Sequence, residues 1–505
     1  MNEPKRARRH LVVCCDGTWN TPDQQQQGRP APTNVARLHH TVANLDTQPR
    51  YYHPGVGTGT GLLDHLEGGL VGKGLSENIK SAYGWLARTY SPGDAIHLFG
   101  FSRGAFTVRS LGGMISRCGL PADLKTAGST EFWAEVDRLF TTVYRKEAGE
   151  AADPVPIEFL GVWDTVGSLG IPDWLGPLKL VEDHVGHLPR FHDTKLGEHV
   201  KHARQALAID EMRGPFMPTL WSNLHEVTGD RTAKQVWFPG DHCDVGGGHD
   251  RTGLSDAALR WMIDECRAAV PDLVFDDAMY QQIAPDARDV LHNSLQSVYT
   301  VLCPAPRAFP FITAGSADIA PSAVDRQATP PITTGTYREG RRLEAGESAT
   351  VDVYAGKPWN WTGIYLEPGE YEFGAEGTWL DGKIAHHPDG TEADARLDLQ
   401  DLLQALATTS AWLQTQLARL NDAQARSFGG RRCEDAKWMT LIGAVAARDL
   451  DAQDVQQPYE AFPIGGRLER WTNRKPGYFH AFANDSWLGY SGNRGSLRLT
   501  VKRLG

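Results

Sequence analysis

The stretch that decides the reading is Ala95-Ile96-His97-Leu98-Phe99-Gly100-Phe101-Ser102-Arg103-Gly104-Ala105-Phe106-Thr107-Val108-Arg109-Ser110-Leu111. Its first five residues are apolar and β-prone, and the run after Gly104 has apolar spacing that suits a helix. A serine between two glycines therefore sits where a strand turns directly into a helix. The glycines matter because the turn is sharp, and a Cβ at either place would collide with the neighbouring backbone. Such tightness lifts the serine hydroxyl to the rim of a sheet, where a base can reach it.

A serine flanked in this way is the nucleophile elbow of the α/β-hydrolases. The surroundings agree. From Leu11 to about Val301, apolar runs alternate with helical patterns, which predicts a mostly parallel sheet. The candidate strands are Leu11-Cys15, Arg50-His53, Ala95-Phe99, Ile157-Trp163 and Gln235-Pro239. A helix is expected over Ser76–Tyr90, ending in the turn Ser91-Pro92-Gly93-Asp94. Residues 170–231, with Trp174, Leu175, Phe216, Met217 and Trp221, read as a lid-like insertion over the active face.

A serine hydroxyl needs a base held by a carboxylate, and here the order is Ser, acid, His. Asp164 ends the apolar run Phe159–Trp163 and opens a Gly-containing loop, so it is the expected acid. His242 follows Val236-Trp237-Phe238-Pro239-Gly240-Asp241 on a loop, as a base that moves between two groups requires. His249 and His292 are the alternative bases, and a metal-binding or capping loop is the alternative use of Asp241, His242, Asp244 and His249. The oxyanion donors are expected from the backbone N–H of Arg103 and from Gly17 or Thr18 in Asp16-Gly17-Thr18-Trp19-Asn20, with Asp16 anchoring that loop.

At 505 residues the chain predicts two or three domains. A net charge of −11 argues against nucleic acid as a partner and against broad adsorption to anionic membranes. Seven cysteines without a C-x-x-C pair form neither a disulfide nor a zinc framework; Cys14, Cys15 and Cys118 read as buried thiols. The basic start, Met1 to His10, leads straight into a strand with no apolar signal region, and no window reaches membrane-spanning length. The expectation is a cytoplasmic protein in the producing cell, leaving it, if at all, by a route that needs no signal peptide. Residues 1–340 are read as the hydrolase unit. Beyond a Pro/Ala/Ser/Thr-rich connection, residues 341–505 show short β segments (Ala349-Tyr354, Thr362-Leu366, Tyr371-Ala375, Met439-Val445, Ser496-Val501) that predict a β-sandwich. The leucine-rich stretch over about 393–425 reads as a helical insertion packed within the protein.

Together, Asp16-Gly17-Thr18-Trp19-Asn20, Gly100–Ala105, Val162-Trp163-Asp164-Thr165-Val166, Ala208–Arg213, Gly240–Gly248 and His292-Asn293-Ser294 resemble the bacterial α/β-hydrolase family that includes type VI secretion phospholipase effectors. The resemblance runs from about Arg9 to Arg338. It implies hydrolysis of glycerophospholipid acyl esters at a membrane surface, with Ser102, Asp164 and His242 as the triad, no catalytic cofactor, and a secretion-machinery or immunity protein as partner. The C-terminal part resembles the calcium-dependent galactose-binding bacterial lectins through Glu376-Gly377-Thr378-Trp379, Trp438–Gly443 and Phe482–Ser496. That resemblance implies calcium held by Asp485, the Gly489 carbonyl, Asn493 and, nearby, Asp381, with a galactose-type glycan bound. Gly492 departs from the pattern, standing where the lectins use an amide side chain. The alternatives are a soluble esterase or acyltransferase, a carbohydrate-binding protein on an inert hydrolase scaffold, and an inert core that docks secretion machinery.

Overall fold

A computed structural model describes residues 7–17, 21, 23–55, 70–146, 152–153, 155–166, 195–295, 304–392, 430–447, 459–487 and 489–505. The expected helical insertion over 393–425 and residues 170–194 of the expected lid lie outside these.

Six strands form the N-terminal sheet: β1 (His10–Cys15), β2 (Arg50–His53), β3 (Ala95–Phe101), β4 (Ile157–Trp163), β5 (Val200–Ala208) and β6 (Thr232–Phe238). They lie in the order β2-β1-β3-β4-β5-β6, and every neighbouring pair is parallel. Helices cover both faces, which explains the near-continuous apolarity of the strands. Leu11, Val13 and Cys15 point into one core with Ile79 and Leu86 of α2 (Leu70–Thr89) and Leu111 and Ile115 of α3 (Arg103–Cys118). Val12 and Cys14 point into the other, with Val35 and Leu38 of α1 (Asn34–Thr41) and Leu259 and Ile263 of the helix Gly253–Ala269. The strand order reverses between β1 and β3, and the crevice at that reversal lies at the carboxyl ends of the strands. Ser102 immediately follows β3.

The lid reading needs correction. Residues 200–208 of that stretch are β5, a sheet strand paired on both sides. Charged and polar residues hide it in the sequence, and neighbours absorb each one. Lys201 Nζ meets the Glu158 carboxylate at 3.1 Å, Arg204 Nε donates to Glu265 at 2.6 Å, and buried Gln205 donates to the Thr219 carbonyl at 3.1 Å.

The C-terminal part consists of two further sheets. One carries β7 (Ser348–Tyr354), β14 (Asn493–Arg503) and β9 (Gly369–Asp381) in that order, with β12 (Arg467–Asn473) also on β9. The other carries β11 (Glu460–Pro463), β10 (Leu441–Ala446), β13 (Gly477–Ala483) and β8 (Asn360–Leu366). Phe373, Trp379, Leu441, Phe479 and Leu499 share one buried core. A separate cluster joins the two parts: Leu207, Trp237, Phe309 and Ile312 pack with Tyr365 and Tyr478.

Candidate active site

The turn at Ser102 is as tight as its glycines suggest. A Cβ on Gly100 would lie 2.4 Å from the Gly104 carbonyl oxygen, and one on Gly104 would lie 2.0 Å from that of Cys15. Both obstacles are backbone, so no side-chain movement relieves them. Ser102 itself has φ 56° and ψ −121°, a backbone state that non-glycine residues rarely occupy and that clusters at functional sites. Its N–H donates to the Trp163 carbonyl at 3.1 Å, which ties the elbow to the residue before Asp164.

Asp164 directly follows β4, also at positive φ (38°), and is fully buried. Its Oδ2 lies 2.6 Å from His242 Nδ1. Its Oδ1 accepts the Ala208 N–H at 3.1 Å. The remaining partner was not foreseen. Arg307 forks onto both oxygens, Nη1 to Oδ1 at 2.6 Å and Nη2 to Oδ2 at 2.9 Å. Burial pushes the Asp164 carboxyl up, but the Arg307 guanidinium and the hydrogen bonds from His242 and Arg307 outweigh it and hold the group well below the usual carboxylate range.

His242 opens a short helix, α4 (His242–Gly246), rather than the open loop expected. Asp241 caps this helix by accepting from the N–H groups of Cys243 and Asp244, both at 2.9 Å. The imidazole lies against Phe101, the residue before Ser102, with ring centroids 4.5 Å apart. Phe216 meets it edge-on at 5.1 Å. Ser102, Asp164 and His242 thus come from the ends of β3, β4 and β6 at one rim of one sheet. The hydrogen bond from Nδ1–H to Asp164 leaves Nε2 as the acceptor nitrogen of neutral His242.

The alternative bases are engaged elsewhere. His249 Nε2 lies 3.1 Å from Asp241 Oδ1, and His292 Nδ1 lies 2.7 Å from Asp244 Oδ1. The two rings stack at 3.7 Å. Donor atoms of Asp244, His249 and His292 fall within 4.8 Å of one another, the one such grouping among the described residues. Each histidine there has a carboxylate partner, and the two contacts tie the segments bearing His249 and His292 to the short helix that His242 opens.

At the expected oxyanion loop, Asp16 is the anchor that the sequence suggests, accepting from Thr33 Oγ1 at 2.5 Å and from Tyr52 OH at 2.7 Å. The Gly17 N–H donates to Asp16 Oδ1 at 2.7 Å. Thr18 lies outside the described residues. Arg103 opens α3, where N–H groups fall outside the helix's own ladder.

In the C-terminal part, Asp485 is buried and accepts from Ser486 N at 2.6 Å and from Asn493 Nδ2 at 2.7 Å. Asp381 pairs with Asn493 across β9 and β14. A Cβ on Gly489 would lie 2.5 Å from the Asp485 carboxylate. Burial raises the Asp485 carboxyl from its ordinary value, with the charge of Asp381 adding to it and Asn493 opposing.

The parallel sheet, the strained serine and the buried carboxylate–imidazole pair together define an α/β-hydrolase. The chain belongs to the family of type VI secretion (T6SS) phospholipase effectors, Tle1-like, whose catalytic-domain model matches residues 9–265, about half of the chain. Uncharacterized protein YEL023C of Saccharomyces cerevisiae is 30% identical over 238 residues, 41% of this chain and 32% of that protein. The chain thus spans about a third of the length of that relative. Among solved structures, similarity is found to an uncharacterized Pseudomonas aeruginosa protein (20% identity, TM-score 0.32, 55% of this chain and 49% of that one). A Tle1 effector bound to the VgrG spike of the type 6 secretion system is also similar (18%, 0.29, 50% and 53%). The PllA-like N-terminal lectin domain of EclA is similar at 16% identity and TM-score 0.19, over 30% of this chain and 94% of that one.

Proposed function

We propose that the protein is a serine carboxylester hydrolase that cleaves acyl esters of membrane glycerophospholipids, and that it acts as an antibacterial type VI effector. The observation that carries the chemistry is the His242 Nδ1–Asp164 Oδ2 contact of 2.6 Å behind a serine held at φ 56°. Family membership supports the substrate class and a signal-peptide-independent route through secretion machinery. Among the described residues no helix is long and apolar enough to cross a membrane.

In this reading His242 Nε2 takes the Ser102 proton as Oγ attacks the ester carbonyl, and Asp164 stabilises the imidazolium that forms. The Arg103 N–H donates to the tetrahedral oxyanion. His242 then protonates the leaving alcohol, leaving an acyl-Ser102 ester. Water, deprotonated by the same nitrogen, releases the fatty acid and regenerates Ser102. A lipidomic digest of mixed membranes by wild type and Ser102→Ala tests this. Fatty acid and lysophospholipid formed by the wild type alone support it; equal products from both proteins reject it.

A second reading concerns the sandwich, where we infer a calcium-assisted glycan site. Asn493 Oδ1 is buried with no hydrogen-bond partner among the described residues, beside the Asp485 carboxylate and across from Asp381. Oxygen donors of this kind suit calcium, which would be held by Asp485, Asn493, Asp381 and the Gly489 carbonyl and would ligate sugar hydroxyls. Calcium-dependent retention on a galactose resin, lost in Asp485→Ala, supports the site; retention indifferent to calcium removes it.

A further inference from the structure

Two lines of contact run from the C-terminal sheets into the proposed triad. The first is the segment 304–312. Its Pro304 carbonyl accepts from Trp359 Nε1 at 2.6 Å. Its Phe309 ring lies parallel to Trp361 (centroids 6.3 Å apart, 5° between planes) and 4.7 Å from Tyr478. Its Ile312 N–H donates to Tyr478 OH at 3.2 Å. Between these anchors Arg307, 1% exposed, reaches back to grip both oxygens of Asp164, and it also donates to the carbonyls of Ala208 (2.8 Å) and Phe216 (2.6 Å).

The second line ends on Gly240, in the segment that leads to His242. Arg338 lies over the Trp361 ring at 4.9 Å and donates from Nε to Asp210 Oδ1 at 2.9 Å. Tyr337 OH donates to Asp210 Oδ2 at 2.7 Å. The same Oδ2 accepts from the Gly240 N–H at 2.7 Å, and Asp210 N donates back to the Gly240 carbonyl at 3.0 Å. Gly240 stands two residues before His242, at φ 112°, where a Cβ would strike the Asp244 side chain at 2.2 Å.

We infer that the β-sandwich is an integral part of the hydrolase centre, fixing Asp164 through Arg307 and the His242 loop through Asp210. The inference rests on the triad reading above. Arg307 and Asp210 are positioning residues; neither is assigned contact with substrate. The physical reason is specificity of geometry. A buried ion pair is a poor source of net stability, because desolvation offsets its attraction. A planar guanidinium fork, by contrast, fixes the plane of the carboxylate that orients the imidazole, and a point-charge ammonium cannot reproduce it. The joint between the parts is aromatic and buried, so separating them would expose Trp237, Phe309 and Tyr478 to water.

The test uses the full chain and a soluble short-chain ester. Arg307→Lys keeps the charge and removes the fork. The double variant Trp359→Phe/Tyr478→Phe keeps an aromatic ring at each position and removes both polar anchors of the 304–312 segment. A shift of about 1 Å in a reacting group costs roughly 100-fold in rate. Arg307→Lys is therefore expected to lower kcat about 100-fold, and the double variant about 10-fold, with KM within about threefold in each. A folded Arg307→Lys or double variant with kcat within about twofold of wild type overturns the inference. If Arg307→Lys does not fold, the double variant alone decides. Ser102→Ala, run alongside, separates the two ideas. Full activity in Ser102→Ala rejects the triad itself, whereas a dead Ser102→Ala beside fully active Arg307→Lys and double variants rejects only the role of the sandwich.

Discussion

Replacing Asp164 with asparagine probes the centre most directly, because the carboxylate serves four donors at once. Arg307 Nη1 and the Ala208 N–H meet Oδ1, while Arg307 Nη2 and His242 Nδ1 meet Oδ2. An amide has one acceptor oxygen, so whichever way the substituted side chain turns, its NH2 faces two donors. With the NH2 toward His242, Nδ1 must become an acceptor and Nε2 carries the proton, the tautomer that cannot take one from Ser102. With the NH2 the other way, Arg307 and Ala208 lose their acceptor. Breaking a buried ion pair from one side costs about 3–5 kcal/mol, and the wrong tautomer costs about 10⁴-fold in kcat. Urea unfolding and the rate of fluorophosphonate labelling of Ser102 read the two effects separately. A folded Asp164→Asn protein that labels within about tenfold of the wild-type rate refutes the assignment. The pH dependence has a definite sign. The folded-state pKa of Asp164 is depressed, so its stabilising contribution is complete above the unfolded carboxyl value near 4 and is lost as pH falls below it.

Gly104→Ala should cost at least about 3 kcal/mol and abolish labelling, since its Cβ meets the Cys15 carbonyl at 2.0 Å; a variant with unchanged melting temperature and labelling contradicts the elbow geometry. At the opposite end of β3, His97 and His10 stack with His10 Nδ1 and His97 Nε2 3.0 Å apart. Burial lowers both imidazoles, with the charge of Arg8 adding to it, so charging them opposes folding. Stability should therefore fall as pH drops below about 6.5, the unfolded imidazole value, and His97→Gln should flatten that limb in urea midpoints measured from pH 7 to 5. Phe216→Ala should lower kcat several-fold by removing the edge that packs on His242; an unchanged kcat would place Phe216 outside the centre.

The site was legible where chemistry coincides with strand ends. Ser102 and Asp164 each directly follow a strand, His242 opens a helix four residues past β6, and five of the six parallel strands stand out in the sequence. β5 escaped because Lys201, His202, Arg204 and Gln205 interrupt its apolar pattern, and only ion pairs with Glu158 and Glu265 make it buriable. Arg307 escaped for a different reason. It lies 143 residues from Asp164 in a stretch that reads as irregular connection. Its one local signal is a lone cation among Pro304, Ala305, Pro306, Ala308, Phe309, Pro310 and Phe311, a setting too apolar for an ordinary surface arginine. In the C-terminal part, β11, β12 and β13 do not stand out in the sequence. β11 is only four residues long, β12 is rich in charge, and β13 follows β12 after only Arg474, Lys475 and Pro476.

The positive φ of Ser102 has an evolutionary corollary. Alanine at 102 would inherit the backbone strain, worth about 1–3 kcal/mol, while glycine would relieve it at some entropic expense in the unfolded chain. A lineage that kept this architecture but gave up turnover would gain by drifting to glycine there. A serine at 102 thus trades backbone stability for a hydroxyl at the rim of the sheet.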